Sequence, residues 1–315
     1  MPVTHPNATT PPLERSAAVG RASVRSWARL LRPHQWVKNF FVLAPLLFSG
    51  RALDPASQRA AALAFAVFCL AASAVYVLND IVDREQDRAH PGKRNRPIAS
   101  GAISVAAGIG VAALLVALAL GTAWYVGTSL LAITVAYLLL NVVYSVWIKQ
   151  VVILDVFAIA AFFVLRLVAG AAAVQVRPSV WLILCGGLLS LYLGFAKRRH
   201  ELVLLGEGSQ DHRAVLSQYS TPFLDQLSVV LLAVTIVSYI MYTLESETAR
   251  LVGGEVLSYS TVFVLYGVLR YLYLVHRRQD GNPSETLLND RGLLLAVTLW
   301  VLYCGVVIYR AGPTP

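Results

Sequence analysis

Apolar runs long enough to cross a bilayer recur along almost the whole chain, and they restrict its fold before any motif is considered. In hydrocarbon every backbone N–H and C=O must be satisfied within the spanning segment, so runs of this length fold as helices. Nine spans are expected, at about 35–50, 60–83, 103–122, 126–147, 151–174, 179–198, 225–245, 256–276 and 291–310. The first is short, and the second and sixth run past the bilayer edge. Hydrophobic residues make up 57% of the 315 and charged residues 14%, which excludes a soluble domain and defines an all-α polytopic membrane protein.

The net charge of +9 does not mark a nucleic-acid binder, because the basic residues are parcelled among short loops rather than laid along one face. With the amino terminus inside, nineteen of the 26 lysines and arginines fall in cytoplasmic segments, as the positive-inside rule requires. Residues 1–20 are polar, rich in Pro and Thr, and read as a disordered cytoplasmic tail. In residues 21–34, Arg21, Arg25, Arg29 and Arg32 recur at helical spacing among Val24, Trp27, Leu30 and Leu31, the pattern of an interfacial helix on an anionic leaflet. Residues 35–315 are expected to form a single transmembrane domain. Cys69, Cys185 and Cys304 lie inside apolar runs without disulfide or zinc spacing and read as small core residues.

The sharpest local signal is Asn79-Asp80-Ile81-Val82-Asp83-Arg84-Glu85-Gln86-Asp87, which continues the second apolar run without a break. Helical residues are about 100° apart, which places Asp80, Asp83 and Asp87 on one face with Asn79 at its edge. Carboxylates so arranged repel one another and oppose the helix dipole, so a cation is expected among them. Hard oxygen ligands at a membrane mouth suit Mg²⁺ carrying a phosphorylated substrate, and Lys93, Arg94 and Arg96 follow closely enough to hold further phosphate oxygens. A charged loop that only fixes topology would explain the basic residues but not the carboxylate spacing.

Two further polar clusters end spans at the same face: Tyr144-Ser145-Val146-Trp147-Ile148-Lys149 after the fourth, and Lys197-Arg198-Arg199-His200-Glu201 after the sixth. Three convergent helix ends make a pocket with metal on one wall and cations on the others. Lysine at a helix C-terminus is also ordinary dipole chemistry, so Lys149 and Lys197 taken alone carry either reading. Asp155 and Arg166 are eleven residues apart within the fifth span, on nearly one face. Such charges line a cavity or reach two different helices as structural partners. The inside loop 199–224 is long enough to act as a lid, whereas the outside loop 243–255 is acidic and solvated. No Gly-rich phosphate loop, metal-binding His/Cys spacing or nucleophile elbow occurs, and Gly108 and Gly110 fit close helix packing.

The Asn79-Asp80-x-x-Asp83-x-x-x-Asp87 motif at the inner end of the second of nine spans resembles the first Asp-rich motif of the UbiA superfamily of intramembrane prenyltransferases. The resemblance runs from Leu31 to about Arg310 and implies transmembrane helices bundled around a central cavity opening to the cytoplasm. Most members carry a second Asp-rich motif at the end of the sixth span, whereas this chain has Lys197, Arg198, Arg199, His200 and Glu201 there. Together with Arg32-Pro33-His34-Gln35-Trp36-Val37-Lys38-Asn39, Lys93-Arg94-x-Arg96-Pro97-Ile98, Tyr144 with Lys149, and Asp155 with Arg166, this departure resembles one branch of the superfamily. That branch moves 5-phosphoribose from phosphoribosyl diphosphate onto a polyprenyl (decaprenyl) phosphate for arabinan-type cell-wall precursors.

The resemblance implies Mg²⁺ as cofactor, phosphoribosyl diphosphate and a polyprenyl phosphate lipid as partners, and a bacterial inner-membrane location with the site facing the cytoplasm. Homo-oligomerisation is left open. Three anionic groups then meet in one site, and cations are needed beyond the metal. Asn79, Asp80, Asp83 and Asp87 are expected to hold the metal, the three aspartates being the catalytic set. Lys38, Lys93, Arg94 or Arg96, and Lys197 or Arg198 are expected on the donor's phosphates, Tyr76 and Tyr144 on ribose or phosphate, and Lys149 and Arg166 on the lipid phosphate. The alternatives are a UbiA-type enzyme transferring a prenyl chain to an aromatic acceptor, which the missing second carboxylate cluster disfavours, and a transporter. Transporters place charge near the midplane, whereas here it lies at one face.

Overall fold

Side-chain caps set the starts of several helices: Ser23, Asp54 and Ser104 each accept a backbone N–H. The structure, a computed structural model, describes residues 23–205, 216–245, 248, 255–277, 286 and 289–310. The expected amino-terminal tail, the centre of the 199–224 loop and most of the 243–255 loop lie outside the described residues. The first helix, α1 (Val24–Leu31), is capped by the Ser23 hydroxyl, which accepts from the Ser26 N–H at 3.2 Å. A 3₁₀ segment, Pro33–Leu43, and a short α2 (Ala44–Phe48) follow. Next come α3 (Pro55–Val82), α4 (Arg84–Ala89), α5 (Val105–Val126), α6 (Thr128–Val146), α7 (Leu154–Ala173) and α8 (Val180–Leu205). The last three are α9 (Thr221–Leu244), α10 (Thr261–Arg277) and α11 (Arg291–Arg310).

Asp54 starts α3, accepting from the Ser57 hydroxyl at 2.6 Å and from the Ser57 and Ala56 N–H groups. These bonds, the hydroxyl's foremost, hold its carboxyl below the usual carboxylate range. The second span therefore begins at Pro55 rather than near residue 60, and the sixth runs on to Leu205.

Eight helices among the described residues are long and apolar enough to cross a membrane: α3, α5, α6, α7, α8, α9, α10 with its leading 3₁₀ turn, and α11. The expected first span is built differently, as the 3₁₀ segment plus α2, so a count of nine spanning helices does not emerge from helix length. The reason is tertiary. This segment is wedged between α3 and α7, and a β-carbon at Gly170 of α7 would stand 1.9 Å from the Val42 carbonyl oxygen. Gly170→Ala is accordingly expected to destabilise the protein by about 1–3 kcal/mol, read as a lower unfolding temperature in detergent.

Consecutive spanning helices pack side by side, α5 against α3 and α6, α7 against α6 and α8, α9 against α8 and α10, and α11 against α10. Contact of α11 with α2 closes the ring. Small residues let α3 pack closely on its neighbours: Ala61, Ala64, Ala71 and Ala74 are all fully buried. Around them Val42, Phe68, Leu130, Tyr137 and Ala169 form one core cluster. The apolar face of α1, Trp27 and Leu30, packs on Val77, Ile98, Ile103 and Ala112, so α1 is docked against the end of α3 and the start of α5.

Candidate active site

Four segments meet at the end of α3. Arg32 caps α1 in the left-handed conformation (φ 52°), which turns the chain sharply into the 3₁₀ segment and brings its guanidinium back over α3. There Nη2 donates to Asp80 Oδ1 at 2.5 Å, and the guanidinium carbon lies 5.1 Å from the centre of the Tyr76 ring. From the turn after α4, Arg96 Nη1 donates to the same Asp80 oxygen at 3.2 Å and to Asp87 Oδ2 at 2.6 Å. Both aspartates are only 2% exposed. Asp80 Oδ2 is buried with no hydrogen-bond partner among the described residues. Beside the motif, Asn79 Oδ1 accepts from the Ser145 hydroxyl at 3.1 Å, which ties the ends of α3 and α6 together.

The helix does not carry the three aspartates on one continuous face. It ends at Val82, Asp83 is the link (φ −85°, ψ 6°), and α4 begins at Arg84. Asp83 and Asp87 act electrostatically on Asp80. Among the described residues, however, no three His, Cys, Asp or Glu side chains converge as a metal cage. The carboxylates that meet are Asp80 and Asp87, joined through one arginine nitrogen. A polar cavity of about 380 Å³ opens over Asp80, lined also by Arg29, Arg32, His34, Asn95 and Arg96. Lys93 and Arg94 are exposed and do not line it.

The remaining expected cations divide into two groups. Lys38 Nζ donates to Gln35 Oε1 at 2.7 Å and feels the charges of Lys197, Arg166 and Arg32. Tyr76 is within electrostatic reach of Arg32 and Arg166, and Tyr144 within reach of Arg198. Lys38 and Tyr76 are thus both within reach of Arg32 and Arg166, and Lys197, half exposed and near Glu201, is within reach of Lys38. No hydrogen bond or ion pair among the described residues joins Lys149 to the Asp80 cluster; it lies in the 3₁₀ turn Ile148–Gln150.

Arg166 and Arg198, both expected on substrate, each engage protein partners. Each nitrogen of Arg166 has a protein acceptor: Nε reaches Asn39 Oδ1 at 2.7 Å, Nη1 the Phe162 carbonyl at 2.8 Å, and Nη2 Tyr137 Oη at 3.1 Å. The rings of Phe68, Tyr137 and Phe163 enclose it. Arg198, 1% exposed, donates from Nε to Asp155 Oδ2 at 2.8 Å and from Nη1 to Glu201 Oε2 at 2.6 Å. Tyr219 Oη donates to Asp155 Oδ1 at 3.2 Å and accepts the N–H of Ile153, whose φ of 68° is strained for a β-branched residue. Asp155 and Arg166 thus reach different helices, the structural one of the two alternatives.

Arg29, Arg32, His34 and Asn95 were not expected as site residues: Arg29 and Arg32 were read as part of an interfacial helix, and Arg32 and His34 as part of a longer motif. The signal was present in the arginines of α1, but their helical recurrence fits a membrane surface equally well.

A divalent cation fits what the structure offers. Mg²⁺ is commonly held by one or two carboxylates, with water and substrate phosphates completing its shell, and so needs no all-protein cage. Asp80 presents a buried, unpartnered oxygen at the floor of a polar cavity, with Asp87 adjacent and basic side chains on the rim.

The ring of bilayer-length helices, with buried carboxylates and a basic rim at one end, defines an integral multi-pass membrane protein. The profile of the UbiA prenyltransferase family matches residues 39–296. The decaprenyl-phosphate phosphoribosyltransferase of Corynebacterium glutamicum is 32% identical over 286 residues, 89% of this chain and 86% of the relative. The protein of that name from Mycolicibacterium smegmatis is 31% identical over 89% of this chain and 92% of its own. A UbiA homolog from Archaeoglobus fulgidus bound to DMAPP and Mg²⁺ shares the fold with a TM-score of 0.68 at 20% identity, over 90% of this chain and 99% of that one. The chain belongs to the UbiA prenyltransferase family and is an enzyme of that family.

Proposed function

We propose that this enzyme transfers 5-phosphoribose from phosphoribosyl diphosphate to a polyprenyl phosphate such as decaprenyl phosphate, releasing diphosphate at the cytoplasmic face of the bacterial cell membrane. The observation that carries this reading is the cationic end of α8. Where most members of the superfamily have a second carboxylate cluster, this chain has Lys197, Arg198 and Arg199, and the carboxylates nearby are joined to arginine, Asp155 and Glu201 to Arg198 and Asp225 to Arg199. Carboxylates at the end of α3 and lysine at the end of α8 suit a donor with phosphate at both ends and an acceptor that is itself a phosphate. Full-length relatives named for this activity support it.

Asp80 and Asp87, with Asn79 and Asp83 beside them, would hold Mg²⁺, which when bound neutralises the leaving diphosphate. Arg32 and Arg96 would take its outer oxygens, and Lys38 and Lys197 the 5-phosphate, while Tyr76 and Tyr144 orient the ribose. One oxygen of the lipid phosphate attacks the anomeric carbon as the bond to diphosphate breaks, and the bonding electrons leave with diphosphate. The acceptor is ionised near neutral pH, so no strong general base is required. Positioning and charge stabilisation carry the rate through an oxocarbenium-like transition state, and a single displacement inverts the anomeric centre.

Purified protein given Mg²⁺, phosphoribosyl diphosphate and a short polyprenyl phosphate is expected to add one phosphoribosyl group to the lipid, detected by mass spectrometry. Transfer of a prenyl group to an aromatic acceptor, with phosphoribosyl diphosphate untouched, would overturn the reading. Lys197→Ala should raise KM for the donor about tenfold, the loss of one charge-assisted hydrogen bond. An unchanged KM removes Lys197 from the site.

A further inference from the structure

We propose that Arg32 and Arg96 are exchangeable counter-ions of the metal site. They hold Asp80 and Asp87 neutralised in the substrate-free enzyme and pass to phosphate oxygens when metal and diphosphate arrive together. The proposal rests on the reading above only in requiring a diphosphate-bearing donor.

Three observations lead to it. The place between the Asp80 and Asp87 carboxylates, where two buried anions call for a cation, is filled by Arg96 Nη1, at 3.2 Å from one and 2.6 Å from the other. The two arginines crowd onto a single Asp80 oxygen and leave Oδ2 buried without a partner. A carboxylate kept only for structure would be expected to have both oxygens satisfied. Finally, both arginine side chains line the same cavity of about 380 Å³, together with Arg29 and His34, and are 21% and 28% exposed.

The consequence is electrostatic. A guanidinium cannot ligate a metal, and a divalent cation on Asp80 would repel both arginines at close range. Metal alone must displace them with nothing to receive them. Diphosphate alone would meet arginines already engaged by carboxylate. Entering together, the metal takes the carboxylates and the diphosphate takes the arginines, so every charge keeps a partner. Metal and diphosphate therefore bind with positive coupling. The α1 helix, whose Trp27 and Leu30 dock it over α3 and α5, holds Arg32 in place for the exchange.

The test is Mn²⁺ binding to the full-length protein in detergent, followed by the electron paramagnetic resonance of free Mn²⁺, with no phosphoribosyl donor or lipid present. Wild type is expected to bind Mn²⁺ weakly, and Arg96→Gln and Arg32→Gln each to bind it at least about tenfold more tightly, since a competing cation is gone. Asp80→Asn is expected to lose the site. Added inorganic diphosphate should strengthen Mn²⁺ retention on wild type more than on either arginine variant. Thermal unfolding identifies any variant that does not fold, and the two arginine variants are read independently. Equal or weaker Mn²⁺ binding by a folded arginine variant, or binding retained by Asp80→Asn, overturns the proposal. If the transferred group proved to be prenyl rather than phosphoribosyl, these Mn²⁺ results would stand unchanged, so the two readings fail separately.

Discussion

Asp80→Asn is expected to lower kcat/KM for phosphoribosyl transfer by about 10²–10³-fold or more while the helices stay in place, because it removes the buried carboxylate on which the charge balance of the site turns. Asparagine has nearly the same shape, and its side-chain oxygen can still accept from Arg32, so the ends of α1 and α3 remain joined. What disappears is the negative charge that lets a cation rest at the floor of the cavity. Initial rates with saturating lipid, alongside thermal unfolding in detergent, separate the two effects. Turnover close to wild type at any Mg²⁺ concentration would place the metal elsewhere. Asp83→Ala is the informative companion, since the structure sets Asp83 in the link between α3 and α4, outside the arginine-bridged pair.

Arg198→Met is expected to act on stability instead. It leaves Asp155, which is 0% exposed, with the Tyr219 hydroxyl as its remaining side-chain partner, and uncompensated buried charges of this kind cost about 3–5 kcal/mol. The loss should appear as a lower unfolding temperature, and Arg198→Met with Asp155→Leu should recover much of it, because no charge is then stranded. A normal unfolding temperature combined with lost donor binding would return Arg198 to the substrate. The pair also fastens the start of α7 to α8 and, through Tyr219, to the segment leading into α9. Its failure would loosen the side of the site on which Lys197 stands.

Much of the molecule was legible along the chain. The apolar runs located eight spanning helices, and the Asp-rich run at the end of the second apolar stretch drew attention to the region that the structure builds into a buried polar cluster. These are local properties. Hydropathy over twenty residues and the spacing of side chains within one helix follow from neighbours in sequence.

Partner choice among the charges was not legible. Arg32 and Asp80 are 48 residues apart, Arg198 and Asp155 43, and Arg166 and Asn39 127. Each pairing depends on how one helix is rotated against another, which no single segment records. The same holds for the first apolar run, which becomes a 3₁₀ segment where the backbone at Val42 meets Gly170 of α7. By itself, then, the sequence determined a helical membrane protein with acidic and basic groups gathered at the ends of its helices. Only the tertiary structure decided which of those charges hold one another and which face the cavity, because in a low-dielectric bundle a charge is settled by its nearest partner in space.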